Sequence, residues 1–362
     1  MGHGKRIHGP DVLRGLAAIG VVFFHVLYLS GVPVHDVAKA VVGRFDFFVR
    51  IFFVLSAFAI SHAYYDRLSD LDSIRTFYVK RFLRIAPLFY AVLLFGVLYT
   101  VCMGRAAPPA FDILLSLSFL FQFVPGKQDG LVGGGWSIGV EWIFYALFPM
   151  MAALIKGWRS ALFASLLLCL IAVLGRSYFS HFVGGELRVF GLLYFLSHAH
   201  YFMIGIMLFH LYKAFPHGIS QRFTRTVSGI AFVVTMVGTM LMFYLQRTVP
   251  EELFLSVAAF VLVYLAVSGL PVWVDNPLTR WFGLISYSIY LVQFPVIQML
   301  GEVGVYRFII SGVGQGIAAY VWSSAVTLGV VIAVSAVTYY GVEKPGQNLL
   351  VRSGTKLRGA SA

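Results

Sequence analysis

Residues 11–29 read DVLRGLAAIGVVFFHVLYL, an apolar run interrupted by Arg14 near its start and His25 well inside it. The two are eleven residues apart. At 3.6 residues per turn this is about three turns, so both side chains leave one face of a helix. Their separation along the axis is roughly 16 Å, about half of a ~30 Å hydrocarbon core. One face thus carries a cation near one membrane surface and an imidazole deep in the bilayer. Ionisable groups at that depth are costly and mark functional sites by default. Each also has a plainer reading. Arg14 suits a positive-inside anchor whose stem lies along the helix, and a lone intramembrane His suits a hydrogen bond to a neighbouring helix.

Working outward, the 362 residues are 59% hydrophobic and only 12% charged, and long apolar runs recur from end to end. That composition excludes an ordinary soluble domain and points to an all-α, polytopic helical membrane protein. No interval between runs is long enough for a soluble unit, so residues 1–362 read as a single transmembrane domain. Spans are expected at about 12–30, 46–65, 85–103, 136–155, 160–175, 193–212, 227–245, 252–270, 281–300 and 317–341. The apolar segment 111–124 is short for a span and suits a re-entrant or interfacial piece. If it does not cross, about ten transmembrane helices leave both termini cytoplasmic, with eighteen of the 27 lysines and arginines on the cytoplasmic side. A crossing there would flip everything after it and spoil that bias. The net charge of +12 therefore sets orientation, and it does not indicate nucleic acid. Cys102 and Cys169 both lie in apolar segments, which suggests neither a disulfide framework nor a metal site. Lys5 and Arg6 before an apolar run imitate a signal peptide, but no A-x-A site follows, so the run is expected to stay as the first span. No repeat of transporter type is evident.

Further polar residues interrupt the apolar pattern. The expected loop 66–84 runs into the third span through YVKRFLRIAPLFY (78–90), which puts Lys80, Arg81 and Arg84 at its cytoplasmic mouth and Pro87 in its first turn. Arg81 and Arg84, three apart, share a helix face. They read as positive-inside decoration or, with Arg14, as a clamp for a phosphorylated donor, since guanidinium binds phosphate in bidentate fashion. At GGGWSIGVEWIFYALFPMM, Gly133–Gly135 let the backbone bend and Trp136 suits an interface anchor. Glu141 then lies about five residues, roughly 7.5 Å, below the outer surface, as either a structural partner or a functional acid. In ISYSIYLVQFPVIQML, Tyr290 and Gln293 fall at a similar level, and Pro295 is expected to kink the helix. Tyrosines at helical spacing are usually packing, and a Gln often glues helices together. Even so, three helices distant in sequence bring His25, Glu141 and Tyr290/Gln293 to one depth. His198 and His200, two apart, do not share a helix face and make a poor metal pair. Glu343 in VEKPG is expected to pair with Lys344 or a loop cation.

PDVLRGLAAIGVVFFH, with Arg and His separated by ten residues, resembles the opening motif of the acyltransferase-3 family of membrane O-acyltransferases. The resemblance continues in order through FFVLSAFAI (52–60), KRFLRIAPLFY (80–90), WSIGVEWIFYALFP (136–149), YSIYLVQFP (287–295) and VEKP (342–345), covering nearly the whole chain. It implies transfer of an acyl group, commonly acetyl, from cytoplasmic acyl-CoA to hydroxyls of cell-surface glycans or other sugars in a bacterial cytoplasmic (inner) membrane. Arg14 and His25 match the residues most associated with activity in that family. This chain departs from the pattern with Gln293 where a His is common, Ala57 where a Gly is usual, and Arg50 where an acid is frequent. No SGNH-type extracellular domain is appended, so the chain is expected to complete transfer alone or hand over to a partner.

Acyl transfer from a thioester needs a base, oxyanion stabilisation and alignment. On this reading His25 is the base, and Glu141 orients it or stabilises its protonated form. Arg14, Arg81, Arg84 and Lys80 hold the CoA phosphates, while Trp136, Ser137, Tyr290 and Gln293 line the acceptor side. No permanently bound cofactor and no metal is required. Two rivals are a transporter or flippase using Arg14, His25 and Glu141 as a relay, and a non-catalytic membrane scaffold.

Overall fold

The computed structural model describes residues 7–215, 251–271 and 273–349, with Glu251 by its backbone alone. The described elements are helical, and no strand occurs among them. The main helices are α1 (Gly9–Leu29), α2 (Phe47–Tyr64), α3 (Leu71–Cys102), α4 (Gly135–Leu154) and α5 (Trp158–Phe182), then α6 (Ala199–Ala214), α7 (Glu251–Ser268), α8 (Pro277–Leu284), α9 (Ser286–Glu302) and α10 (Ile317–Thr338).

Among the described residues, five helical stretches are long and apolar enough to cross a membrane, and the bent pair α8–α9 would make a sixth. Ten are expected from the sequence. At 16 and 17 residues, α6 and α9 each fall short of the roughly 20 that a straight span needs. The expected span 227–245 lies outside the described residues.

Two local expectations change and a third, on segment 111–124, holds in its length. The basic stretch 80–84 is not loop, because α3 begins at Leu71, where Asp70 accepts from the Ser73 amide at 2.8 Å and Ser73 closes a reciprocal capping box. Lys80, Arg81 and Arg84 therefore project from a continuous helix, and Pro87 sits in its interior. The break in the 281–300 region comes at Ile285, where α8 and α9 meet at 66°, and Pro295 lies within α9. Segment 111–124 folds as a short helix, Ala110–Ser118, and a 3-10 turn, Leu120–Phe123. They are parted by Phe119 in the left-handed region at φ 58°, so neither piece is long enough to span.

α1 is held mainly by elements from the far end of the chain, packing on α8, α9 and α10 as well as on α2 and α7. Its approach to α8 is backbone to backbone. A Cβ on Gly283 would lie 2.0 Å from the Asp11 carbonyl oxygen, so only glycine fits this crossing. Two apolar cores result. One gathers Phe53, Phe144, Phe148 and Phe202 between α2, α4 and α6. The other gathers Val22, Val26, Ile289 and Val292 between α1 and α9, and Phe52 packs against both.

A buried ion-pair knot ties α2, α5, α6 and α7 together. Glu252 faces Arg176 at 3.3 Å and Arg50 at 3.9 Å and accepts from Tyr201 at 3.0 Å, while Arg50 also pairs with Asp46 at 2.8 Å. The unusual cation at position 50 is thereby matched by two carboxylates distant from it in role and, for Glu252, in sequence.

Candidate active site

A cavity of about 120 Å³ opens where α1, α2, α3, α4 and α9 converge. Arg14 enters it from α1, Ser56 from α2, Arg81 and Arg84 from α3, Ser137, Glu141 and Tyr145 from α4, and Tyr287 and Tyr290 from α9. Six residues that the sequence singles out thus share one space: Arg14, Arg81, Arg84, Ser137, Glu141 and Tyr290.

The three arginines are held differently. Arg84 is ion-paired with Glu343, whose other oxygen accepts from Ser288 at 2.8 Å. Glu343 reaches this position because α10 runs into a π-helical turn, Tyr339–Glu343, which shifts the side-chain register at its end. Of the two expected partners of Glu343, Lys344 is not the one taken; the cation is Arg84 of the expected loop 66–84, which here stands on α3, so the pair bridges helices. Arg81 lies over the rings of Tyr64 and Tyr145 at 5.3 and 6.0 Å and donates to the Tyr64 hydroxyl at 3.4 Å. Arg14 has Arg84 and Glu141 as charged neighbours across the cavity. Lys80 does not line the cavity, because neighbouring helical positions are turned by about 100° and it leaves α3 on another side from Arg81.

Glu141 accepts two hydrogen bonds on one oxygen, from Ser56 Oγ and from the Tyr145 hydroxyl at 2.5 Å. His25 has another partner altogether. Its Nδ1 bonds Gln293 Oε1 at 3.0 Å, and its ring lies 4.3 Å from that of Phe294. Gln293 Nε2 donates to the Tyr290 carbonyl at 2.8 Å, which fixes the amide's orientation. An amide oxygen only accepts, so His25 Nδ1 carries the proton and Nε2 is left with the lone pair. The expected Glu141–His25 pair is thus not what the structure forms, and His25 is not among the residues lining the cavity.

Tyr290 joins the two parts. Its hydroxyl meets Ser137 Oγ at 2.7 Å and the Gly134 carbonyl at 3.2 Å in the cavity wall, while its own carbonyl holds Gln293. Gly134 has φ +73°, and a Cβ there would come within 3.0 Å of the Tyr290 hydroxyl, so the bend into α4 requires glycine. Trp136 stands away from this space, its ring 5.2 Å from that of His198 and its carbonyl accepting from Gln122. Ser56 and Tyr145 escape a sequence reading of the site. Ser56 sits in the FFVLSAF motif, and Tyr145 lies four residues after Glu141, on the same helix face.

A family model described as an acyltransferase domain matches residues 7–340. The chain therefore belongs to this acyltransferase family. It is 23% identical, over 95% of its length, to a Bacillus subtilis (strain 168) protein named "Putative peptidoglycan O-acetyltransferase YrhL", covering 55% of that protein. It is 27% identical, over 42% of its length, to "Nodulation protein 10" of Rhizobium leguminosarum bv. viciae, covering 46% of that protein. The chain thus spans about half the length of the curated relatives it matches. No solved structure matches.

Proposed function

We propose that the protein is a membrane O-acyltransferase, moving an acyl group, acetyl by default, from cytoplasmic acyl-CoA to a sugar hydroxyl of a cell-surface polysaccharide or glycolipid. The observation that carries this reading is the convergence of Arg14, Arg81, Arg84 and Glu141 on one cavity in a chain of this family. Guanidinium forks suit the phosphates of CoA. The name of the Bacillus subtilis relative supports acetyl as the group and a glycan as the acceptor.

In this mechanism the arginines hold the donor on the cytoplasmic side. His25 Nε2 takes the proton of the attacking sugar hydroxyl, with Gln293 holding the imidazole in the required tautomer. Ser137 and Tyr290 supply hydroxyls toward the acceptor. The charge bias supports ten spans with both termini in the cytoplasm of a bacterial inner membrane.

The test is mass spectrometry of surface glycans from a deletion strain complemented with wild type or His25→Ala. One acyl ester should vanish on deletion, return with wild type and stay absent with the variant at equal membrane abundance. Full restoration by His25→Ala would overturn the assignment of the base. A glycan that fails to reach the surface, with no ester changed, would favour a transporter.

A further inference from the structure

The expected base, His25, does not line the cavity that holds the arginines, and its Nδ1 is committed to Gln293. Ser56 does line this cavity, beside Glu141, and its Oγ donates to that carboxylate. Some helical hydroxyls of this chain bond back to their own helix. Thr100 donates to the Gly96 carbonyl, Ser118 to Leu114 and Ser256 to Glu252, each four residues earlier. Ser56 and Ser288 instead reach across to carboxylates on other elements; the partner of Ser288, Glu343, is ion-paired with Arg84, and of the two serines it is Ser56 that lines the cavity. A serine hydroxyl hydrogen-bonded to a positioned base is the arrangement of an activated nucleophile.

We infer that Ser56 carries the acyl group as a transient ester between donor and acceptor, with Glu141 as its base. The inference rests on the acyltransferase reading above and divides the reaction into two half-reactions. In the first, Ser56 Oγ attacks the thioester carbonyl carbon and its proton passes to Glu141. The tetrahedral oxyanion forms beside Glu141, where the charge of its neighbour Arg14 stabilises it, which leaves Arg81 and Arg84 to the phosphates. The carbon–sulfur bond then breaks, CoA leaves as the thiolate and takes a proton from cytoplasmic water.

In the second half-reaction the sugar hydroxyl attacks the Ser56 ester, and its proton passes through one bridging water to His25 Nε2, which stands outside the cavity lining. As the bond to Ser56 Oγ breaks, Glu141 returns its proton to that oxygen, and His25 releases its own to water. No further reactant is consumed. The elements for hand-over adjoin one another. Phe52, one turn from Ser56, meets the Tyr290 ring at 5.9 Å, and the Tyr290 carbonyl anchors Gln293, the partner of His25.

The experiment uses the purified full-length protein in lipid nanodiscs, mixed with acetyl-CoA and no acceptor. Wild type should release CoA in a burst of about one equivalent per chain and gain one acetyl group on the peptide containing Ser56. His25→Ala should keep the burst and accumulate the adduct, because only the second half-reaction is lost. Ser56→Ala should lose both burst and adduct. Ser56→Cys should keep the adduct as a thioester that neutral hydroxylamine cleaves, which separates loss of the nucleophile from loss of folding.

Turnover by Ser56→Ala, an adduct on another residue, or wild-type transfer to a membrane glycan extract with no adduct would overturn the relay and leave the acyltransferase reading standing. No CoA release by wild type even with that extract would overturn both.

Discussion

At Gln293, one amide does two things that a histidine in its place would do differently. Its nitrogen is spent on the Tyr290 carbonyl and its oxygen on His25, so it holds the imidazole without titrating. Gln293→Leu should lower kcat by about 10²–10⁴, the range that positioned general-base catalysis supplies, with KM for acyl-CoA little changed. Gln293→Glu keeps an acceptor at that place and should recover most of the loss; steady-state kinetics on both variants checks this. Much of the site is legible at this scale. Counting residues from the ends of spans puts His25 and Gln293 at one depth, and they do meet. The same counting cannot tell which groups at one depth touch. Glu141 therefore looks available to His25, whereas rotation about α4 turns it toward Ser56 and Tyr145.

Elements depart from the sequence reading where a local rule competes with the hydropathy pattern. The charges at 80–84 depress the apolar signal and suggest a span starting near 85. The Asp70–Ser73 capping box shows that the helix starts fourteen residues sooner, at Leu71. That signature is readable in advance, because Asp and Ser stand at the right interval. The π turn at Tyr339–Glu343 is not, since nothing in YYGVE distinguishes it from ordinary helix. Its effect is to drive Glu343, fully buried, against Arg84 on α3. Glu343→Ala would leave a guanidinium without its partner and should cost about 3 kcal/mol, the lower end for a broken buried pair because Arg84 keeps 26% exposure. Thermal unfolding in nanodiscs should show the fall, with Glu343→Gln losing less because it still accepts from Arg84 and Ser288.

For the whole molecule, composition alone suffices for the class, and the helical bundle with its long apolar helices agrees. The number of crossings is harder to read, because the bent pair α8–α9 and the short α6 do not present single runs of spanning length. Orientation is a property of the entire charge distribution, so it is tested on the entire chain. Reporters fused at either terminus should both report cytoplasm, and one inserted after Gly126 in the 119–134 connection should report the outer side. A cytoplasmic signal there would reverse the assignment of the donor side. The packing of α1 on α8, α9 and α10 also bears on how the protein is made. The ribosome delivers Arg14 and His25 to the membrane first and Gly283, Tyr290 and Gln293 nearly last. Until then His25 lies without Gln293 and Arg14 without the wall that α9 supplies, and a chain cut short before Pro277 never completes that wall. Such truncated products belong to the insertion and quality-control machinery of the cell, and the site exists only once translation has almost finished.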